Sequence, residues 1–253
     1  MTGSLTIVGL GPGDPRWRTP AADDALASAT DLVGYGPYLA RVPAREGQRR
    51  HASDNRVELD RARLALDLAV AGARVAVVSG GDPGVFAMAA AVFEAIDGGG
   101  PAWRALPVTV EPGITAMLAA AARVGAPLGG DFCALSLSDN LKPLDLVARR
   151  LAGALAADFV IALYNPVSAA RPWQLGAALE LAAAVRPPET PVVFARAVGR
   201  PDEALTIVPV SQAAGVAADM ATLVIIGAST TRLIPRDGAP PYVYTPRSYG
   251  NRP

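Results

Sequence analysis

Five short stretches of this chain carry the residue types that chemistry needs, and each follows an apolar run. Residues 5–8 lead into Gly9-Leu10-Gly11-Pro12-Gly13-Asp14. Residues 74–79 lead into Gly80-Gly81-Asp82-Pro83-Gly84-Val85-Phe86, and residues 108–111 into Pro112-Gly113-Ile114-Thr115-Ala116. Two more stretches follow later, Ser136-Leu137-Ser138-Asp139-Asn140-Leu141-Lys142-Pro143 and Tyr164-Asn165-Pro166. Glycine at the end of a strand lets a ligand approach carbonyls and amides directly, because no Cβ stands in the way. The first stretch has the outline of a dinucleotide-binding loop but not its chemistry. That loop needs glycine where Asp14 stands and a helix opening at once, so that amide N–H groups meet a pyrophosphate. Here Pro12 removes a donor, and Asp14-Pro15 puts an acid and a second proline at the helix start. The expected ligand is therefore not a phosphate anion, and a cation suits the loop.

Other side chains narrow the chemistry by their scarcity. The single cysteine, Cys133, excludes an internal disulfide and a cysteine-cluster metal site. The single histidine, His51, argues against a histidine-based metal centre, so no metal is expected. His51 reads as a loop residue and Cys133 as a packed strand residue. Lys142 is the only lysine among 23 basic residues. The remaining cations are arginines, whose planar forks suit carboxylates. Basic and acidic residues balance at 23 each, so no global field draws the chain to nucleic acid or to an anionic membrane. No signal segment and no apolar run long enough to span a bilayer is visible, which makes a cytoplasmic protein the expectation.

The elements that must position these loops alternate. Residues 5–10, 32–35, 74–79 and 108–111 read as buried parallel strands. Between them, Thr19-Pro20 caps a helix through residue 29. Asn55 with Glu58 starts a helix to residue 71 closed by Gly72, and residues 86–96 form a third. A helix over 115–124 precedes a connector over 126–131. Strands over 132–137, 159–163, 192–195, 205–209 and 222–227 follow, with helices over 144–156, 172–185 and 211–217. The tail from residue 234 reads as an extended flap. The pattern predicts an α/β fold of two domains, 1–125 with a parallel sheet and 126–253 with a mixed sheet, and an active site in the cleft between them.

The order and spacing of Gly-x-Gly-Pro-Gly-Asp, Gly-Gly-Asp-Pro and Pro-Gly-Ile-Thr-Ala resemble the tetrapyrrole (precorrin) methyltransferases over nearly the whole chain. Gly34-Tyr35-Gly36-Pro37-Tyr38-Leu39, Ser53-Asp54-Asn55-Arg56, the Ser136–Pro143 and Tyr164–Pro166 stretches, and Gly199-Arg200-Pro201-Asp202-Glu203 resemble the branch acting at C17 of precorrin-3B. The resemblance implies S-adenosylmethionine as methyl donor, a tetrapyrrole substrate, ring contraction to precorrin-4 in cobalamin synthesis, and a homodimer. It implies cofactor contacts at Pro12, Gly80, Gly81, Asp82, Thr115 and Ala116, an apolar wall from Val85 and Phe86, and further contacts from Asn165 and Ala195. Tyr35, Tyr38, Ser138, Asn140 and Arg196 are expected at the substrate. Asp139, Lys142 and Asp54 are the candidates for proton handling. Arg41, Arg45, Arg49, Arg50, Arg171 and Arg200 are further candidate partners for the many carboxylates of a tetrapyrrole. Uroporphyrinogen-type relatives carry an acid after the second strand, whereas this chain has Tyr35-Gly36-Pro37-Tyr38. No nucleophile is required: holding donor and acceptor in line can supply about 7–11 kcal/mol of the barrier.

Three alternatives remain at this stage. One is another precorrin or cobalt-precorrin methyltransferase, acting at C20, C11 or on a cobalt-bearing substrate. A nicotinamide-dependent oxidoreductase is the second, opposed by the broken glycine fingerprint. The third is a non-catalytic ligand-binding module.

Overall fold

The structure is a computed structural model that describes residues 3–54, 57–168 and 170–249. Its contacts divide the chain between Ala116 and Met117. In the first unit β1 (Ser4–Gly9), β2 (Asp31–Tyr35), β3 (Arg49–Ser53), β4 (Arg74–Ser79) and β5 (Val108–Glu111) form one sheet in the order β3-β2-β4-β1-β5. Every pairing in it is parallel. Helices α1 (Pro20–Ser28), α2 (Gly36–Leu39), α3 (Glu58–Val70), α4 (Met88–Asp97) and α5 (Pro101–Arg104) complete this unit.

Period-two alternation sorts the sheet's apolar residues to two faces. Leu5, Ile7, Val75 and Val77 pack with Ala62 and Leu66 of α3 and Val92 of α4. Val8, Leu10, Ala76 and Val78 pack with Ala22 and Leu26 of α1. Each such leucine or isoleucine taken from water contributes about 1.5–3 kcal/mol. The Thr19 hydroxyl accepts from Ala22 N–H at 3.1 Å and Pro20 occupies the first turn, as the sequence predicts for α1. The Asn55–Glu58 capping box lies outside the described residues; α3 is described from Glu58, after Val57.

The second unit holds α6 (Ala116–Val124, whose first residue lies before the division), α7 (Leu144–Ala156), α8 (Gln174–Val185) and α9 (Val210–Ala213). Its strands are β6 (Gly125–Ala126), β7 (Phe132–Ser136), β8 (Val160–Tyr164), β9 (Pro191–Arg196), β10 (Ala204–Pro209), β11 (Thr222–Ile226), β12 (Arg232–Arg236) and β13 (Ala239–Tyr244). A mixed sheet runs β10-β9-β11-β8-β7, and a second sheet runs β12-β13-β6. The larger core lies around Leu151, Leu155, Ile161, Leu163, Phe194 and Ile226.

Several expectations are corrected. Residues 49–53 form the edge strand β3, so His51 is a strand residue rather than a loop residue. The third helix begins at Met88, because Phe86 has φ +52° and Ala87 is extended. The tail is a packed hairpin, with β13 pairing to β6 through Val243–Gly125 and Tyr244–Ala126. The expected connector over 126–131 thus begins inside a sheet. Among the described residues, no helix is long and apolar enough to cross a membrane.

Candidate functional site

In the first unit the strand order puts β1 between β4 and β5. Their carboxyl ends therefore carry the three glycine loops side by side, where open parallel sheets bind ligands. The loops are tied to one another. Gly11 N–H donates to Gly81 O at 3.1 Å and Gly81 N–H returns the bond to Gly11 O at 3.0 Å. Asp82 joins the third loop: its Oδ2 accepts from Gly113 N–H at 3.0 Å and its Oδ1 from Gly84 N–H at 2.8 Å. A Cβ on Gly113 would stand 2.3 Å from Gly81 O, so close packing of loop on loop requires glycine there. The amides of Gly11, Gly81, Gly84 and Gly113 are all engaged internally, which leaves no cradle of them for a phosphate.

The electrostatics differ from the expectation of carbonyls and acids open to a cation. Arg41 donates to Leu10 O and Gly11 O at 2.9 Å each and to Gly13 O at 3.4 Å, which covers the carbonyl side of the first loop. Asp14 accepts from Arg16 N–H at 2.9 Å and pairs with the Arg16 guanidinium at 2.7 Å, so it caps a short 3-10 turn. Gly81 has φ +65° with no atom nearer than 3.7 Å to the place of a Cβ. Val85, four residues further on, is half-buried, and Phe86 is half-exposed. Thr115 is buried and Ala116 opens α6. The rim is thus open at Gly81 and apolar at Phe86.

Tyr38 connects a substrate candidate to the same rim. A Cβ on Gly80 would meet the Tyr38 ring at 2.6 Å, so the ring lies directly on Gly80. Tyr35 meets Tyr38 edge to face at 5.4 Å between centroids. Asp54 is exposed, and its carbonyl accepts from the buried Arg61 at 2.7 Å. Burial pushes the Arg61 guanidinium below its ordinary pKa range.

In the second unit β7 and β8 are parallel, and β9 runs with β8 because both oppose β11. Their carboxyl ends thus share one sheet edge. There Asn165, at φ +51°, donates from Nδ2 to Ser136 Oγ at 2.9 Å. Ser138 Oγ accepts from Asn140 N–H at 3.4 Å. Arg171 forms an ion pair with Asp139 and donates to Asn140 Oδ1. Lys142 is half-buried; burial, with the Arg150 charge second, pulls its ammonium below the usual lysine range. Ala195 is buried within β9, in register with Leu205 and Leu223.

Residues 4–214 match the family model for Tetrapyrrole (Corrin/Porphyrin) Methylases. The chain belongs to the tetrapyrrole methylases. It is 59% identical over 249 residues to a Precorrin-3B C(17)-methyltransferase of Sinorhizobium sp, covering 98% of both chains. It is 38% identical to a Probable cobalt-factor III C(17)-methyltransferase of Salmonella typhimurium, covering 97% of this chain and 99% of that one. The crystal structure of the methyltransferase CobJ matches with a TM-score of 0.90 and 50% identity, over 96% of this chain and 100% of that one.

Within this tetrapyrrole methylase several arginines expected at substrate carboxylates have partners in the fold. Arg196 donates to Asp219 at 2.7 Å and to Asp202 at 2.8 Å, so two acids already satisfy it. Arg49 pairs with the fully buried Asp31 at 2.8 Å, and Arg50 donates to the carbonyls of Leu39, Val42 and Pro43. Arg41 and Arg171 hold loops, and Arg45 is exposed. Cys133 lies on β7, where burial raises its thiol and makes it a poor nucleophile. Among the described residues no group of three or more histidine, cysteine or acidic side chains could hold a metal. The loop-holding roles of Arg41 and Arg171 carry no local sequence signal, because their partners lie about 30 residues away (31 for Leu10 and Asn140).

Proposed function

We propose that this chain is an S-adenosylmethionine-dependent C-methyltransferase that methylates C17 of precorrin-3B with ring contraction to precorrin-4, in cobalamin biosynthesis. The observation that carries the reading is 59% identity over 98% of both lengths to a precorrin-3B C(17)-methyltransferase. The reading also assigns it to the cytoplasm as a homodimer, with neither nucleic acid nor membrane as partner; its balanced charge supports the latter.

S-adenosylmethionine, when bound, supplies an electrophilic methyl group on a positively charged sulfur. Pro12, Gly80, Gly81, Asp82, Thr115 and Ala116 would hold it, with Val85 and Phe86 as its apolar wall. The linked glycine loops need little ordering on binding, which favours affinity by lowering its entropic cost. For Asn165 and Ala195 the family resemblance alone carries the assignment. Tyr35 and Tyr38 offer aromatic surface to a flat macrocycle, and Ser138 and Asn140 offer polar contacts. Asp139, Lys142 and Asp54 remain the groups that could hold or move a proton. Arg196, also expected at the substrate, pairs with Asp202 and Asp219.

Incubation with methyl-labelled donor and precorrin-3B tests the reading. Label at C17 of a ring-contracted product, with S-adenosylhomocysteine released, is expected; label at C11 or C20, or none, overturns it. The Salmonella relative is named for cobalt-factor III, so a parallel incubation with the cobalt-bearing substrate decides between the two forms.

A further inference from the structure

Among the described residues two arginines are buried, and they differ in what answers their charge. Arg186 forms an ion pair with Asp158. Arg61 of α3, 5% exposed, donates to neutral acceptors alone. Its Nε reaches Ser53 Oγ at 2.8 Å, its Nη2 Asp54 O at 2.7 Å and its Nη1 Met88 Sδ at 3.2 Å. Taking a guanidinium out of water without a bonded carboxylate is costly, and an apolar side chain of similar volume would avoid that cost. A charge kept under such terms points to the placement of its acceptors.

Those acceptors lie at the carboxyl ends of two different strands. Ser53 closes β3 and Asp54 follows it. Met88 opens α4 directly after the loop over residues 80–86, and Ala89 N–H donates back to Pro83 O in that loop at 2.9 Å. β2 stands between β3 and β4 in the sheet, so no strand pairing joins the two ends. β3 is also the edge strand, with β2 as its neighbour on one side. A guanidinium can bridge such a gap because its rigid fork sends donors to separate acceptors, whereas a lysine ammonium is a single point.

We propose that Arg61 is a positioning residue for the methyl transfer: it fixes the backbone of Ser53 and Asp54 against the start of α4, and so sets where the Asp54 carboxylate stands relative to the 80–86 loop. The proposal rests on the reading that this loop holds the methyl donor and that Asp54 meets the tetrapyrrole.

Arg61→Met removes the three donors and keeps a linear apolar side chain, while Arg61→Lys keeps the charge on one donor head. S-adenosylmethionine affinity, by calorimetric titration, is expected to stay within about twofold in both, because the bonds among the glycine loops do not involve Arg61. The same titration counts binding-competent sites, so kcat expressed per site is blind to a partly unfolded preparation. On that basis kcat with precorrin-3B is expected to fall about tenfold or more in Arg61→Met and to recover in part in Arg61→Lys. In an Asp54→Asn background, Arg61→Met is expected to change kcat by less than about twofold further, since its effect runs through Asp54. Hydrogen exchange over residues 50–54 is expected to quicken in Arg61→Met without any substrate present. Should Arg61→Met yield no competent sites, Arg61→Lys carries the same three expectations in reduced size. Unchanged kcat per site, effects of the two substitutions that multiply, or unchanged exchange would each overturn the proposal. Faster exchange in the variant, beside a wild-type protein that binds the donor but leaves precorrin-3B unmethylated, overturns the functional reading and leaves the brace in place.

Discussion

Asp82 uses each carboxylate oxygen on a different backbone amide, Gly84 within its own loop and Gly113 in the next. Asparagine can satisfy only one of them as an acceptor, so Asp82→Asn should cost about 1–3 kcal/mol and loosen two loops together. Its effect on S-adenosylmethionine, read by calorimetric titration, should be a clear loss of affinity. Gly81→Val should weaken the same ligand by forcing a β-branched residue to φ +65° and filling the open side of the rim; unchanged affinity would remove that pocket from consideration. Arg196→Ala makes a contrasting case. With its guanidinium engaged by Asp202 and Asp219, KM for the tetrapyrrole should stay within about twofold. The positions of these residues were legible in the sequence as loops after strands. Their partners were not: an arginine that binds a ligand and one that binds Leu10 and Gly11 carbonyls are written with the same letter.

At the level of elements, strands rich in Val, Ile and Leu announced themselves, and β4, β5 and α7 have the bounds the pattern predicts. The edge strand β3 did not, because Arg-Arg-His-Ala-Ser has no apolar face to reveal a period. What holds β3 beside β2 is largely polar. Asp31, buried at the start of β2, accepts from Arg49 and His51 at 2.8 Å and from Thr30 at 2.8 Å. Burial alone would raise its pKa, but these bonds, led by Arg49, outweigh burial and hold the carboxyl at about 2. Its folded value lies below the ordinary carboxylate range of about 3.9, so its contribution is fully present above pH 4 and is lost as pH falls towards 2. The contribution is about 2 kcal/mol. Urea melts between pH 6 and 2.5 should show that loss in the wild type, and Asp31→Asn should be less stable at pH 6 with a flatter acid limb.

Across the whole chain the tail counts for more than its prolines suggested. Thr245 N–H donates to Ala126 O at 3.0 Å, and the buried Thr245 hydroxyl donates to Pro127 O at 2.5 Å while meeting Thr231 at 2.8 Å. Thr245→Val should therefore cost about 1–3 kcal/mol, measured by thermal melting, by leaving a buried carbonyl without its donor. No local pattern foretold this, since a strand of two residues at Gly125–Ala126 is defined only by the distant segment that pairs with it. The pairing also sets a schedule for the ribosome. The first sheet has all its strands once residue 111 has been made, whereas β6 must wait for residues 243 and 244. At about 5–20 residues per second that wait is roughly 6–24 s. During it, the second half is a nascent chain with its last sheet unpaired, a window in which chaperones or proteases meet it before its fold can close.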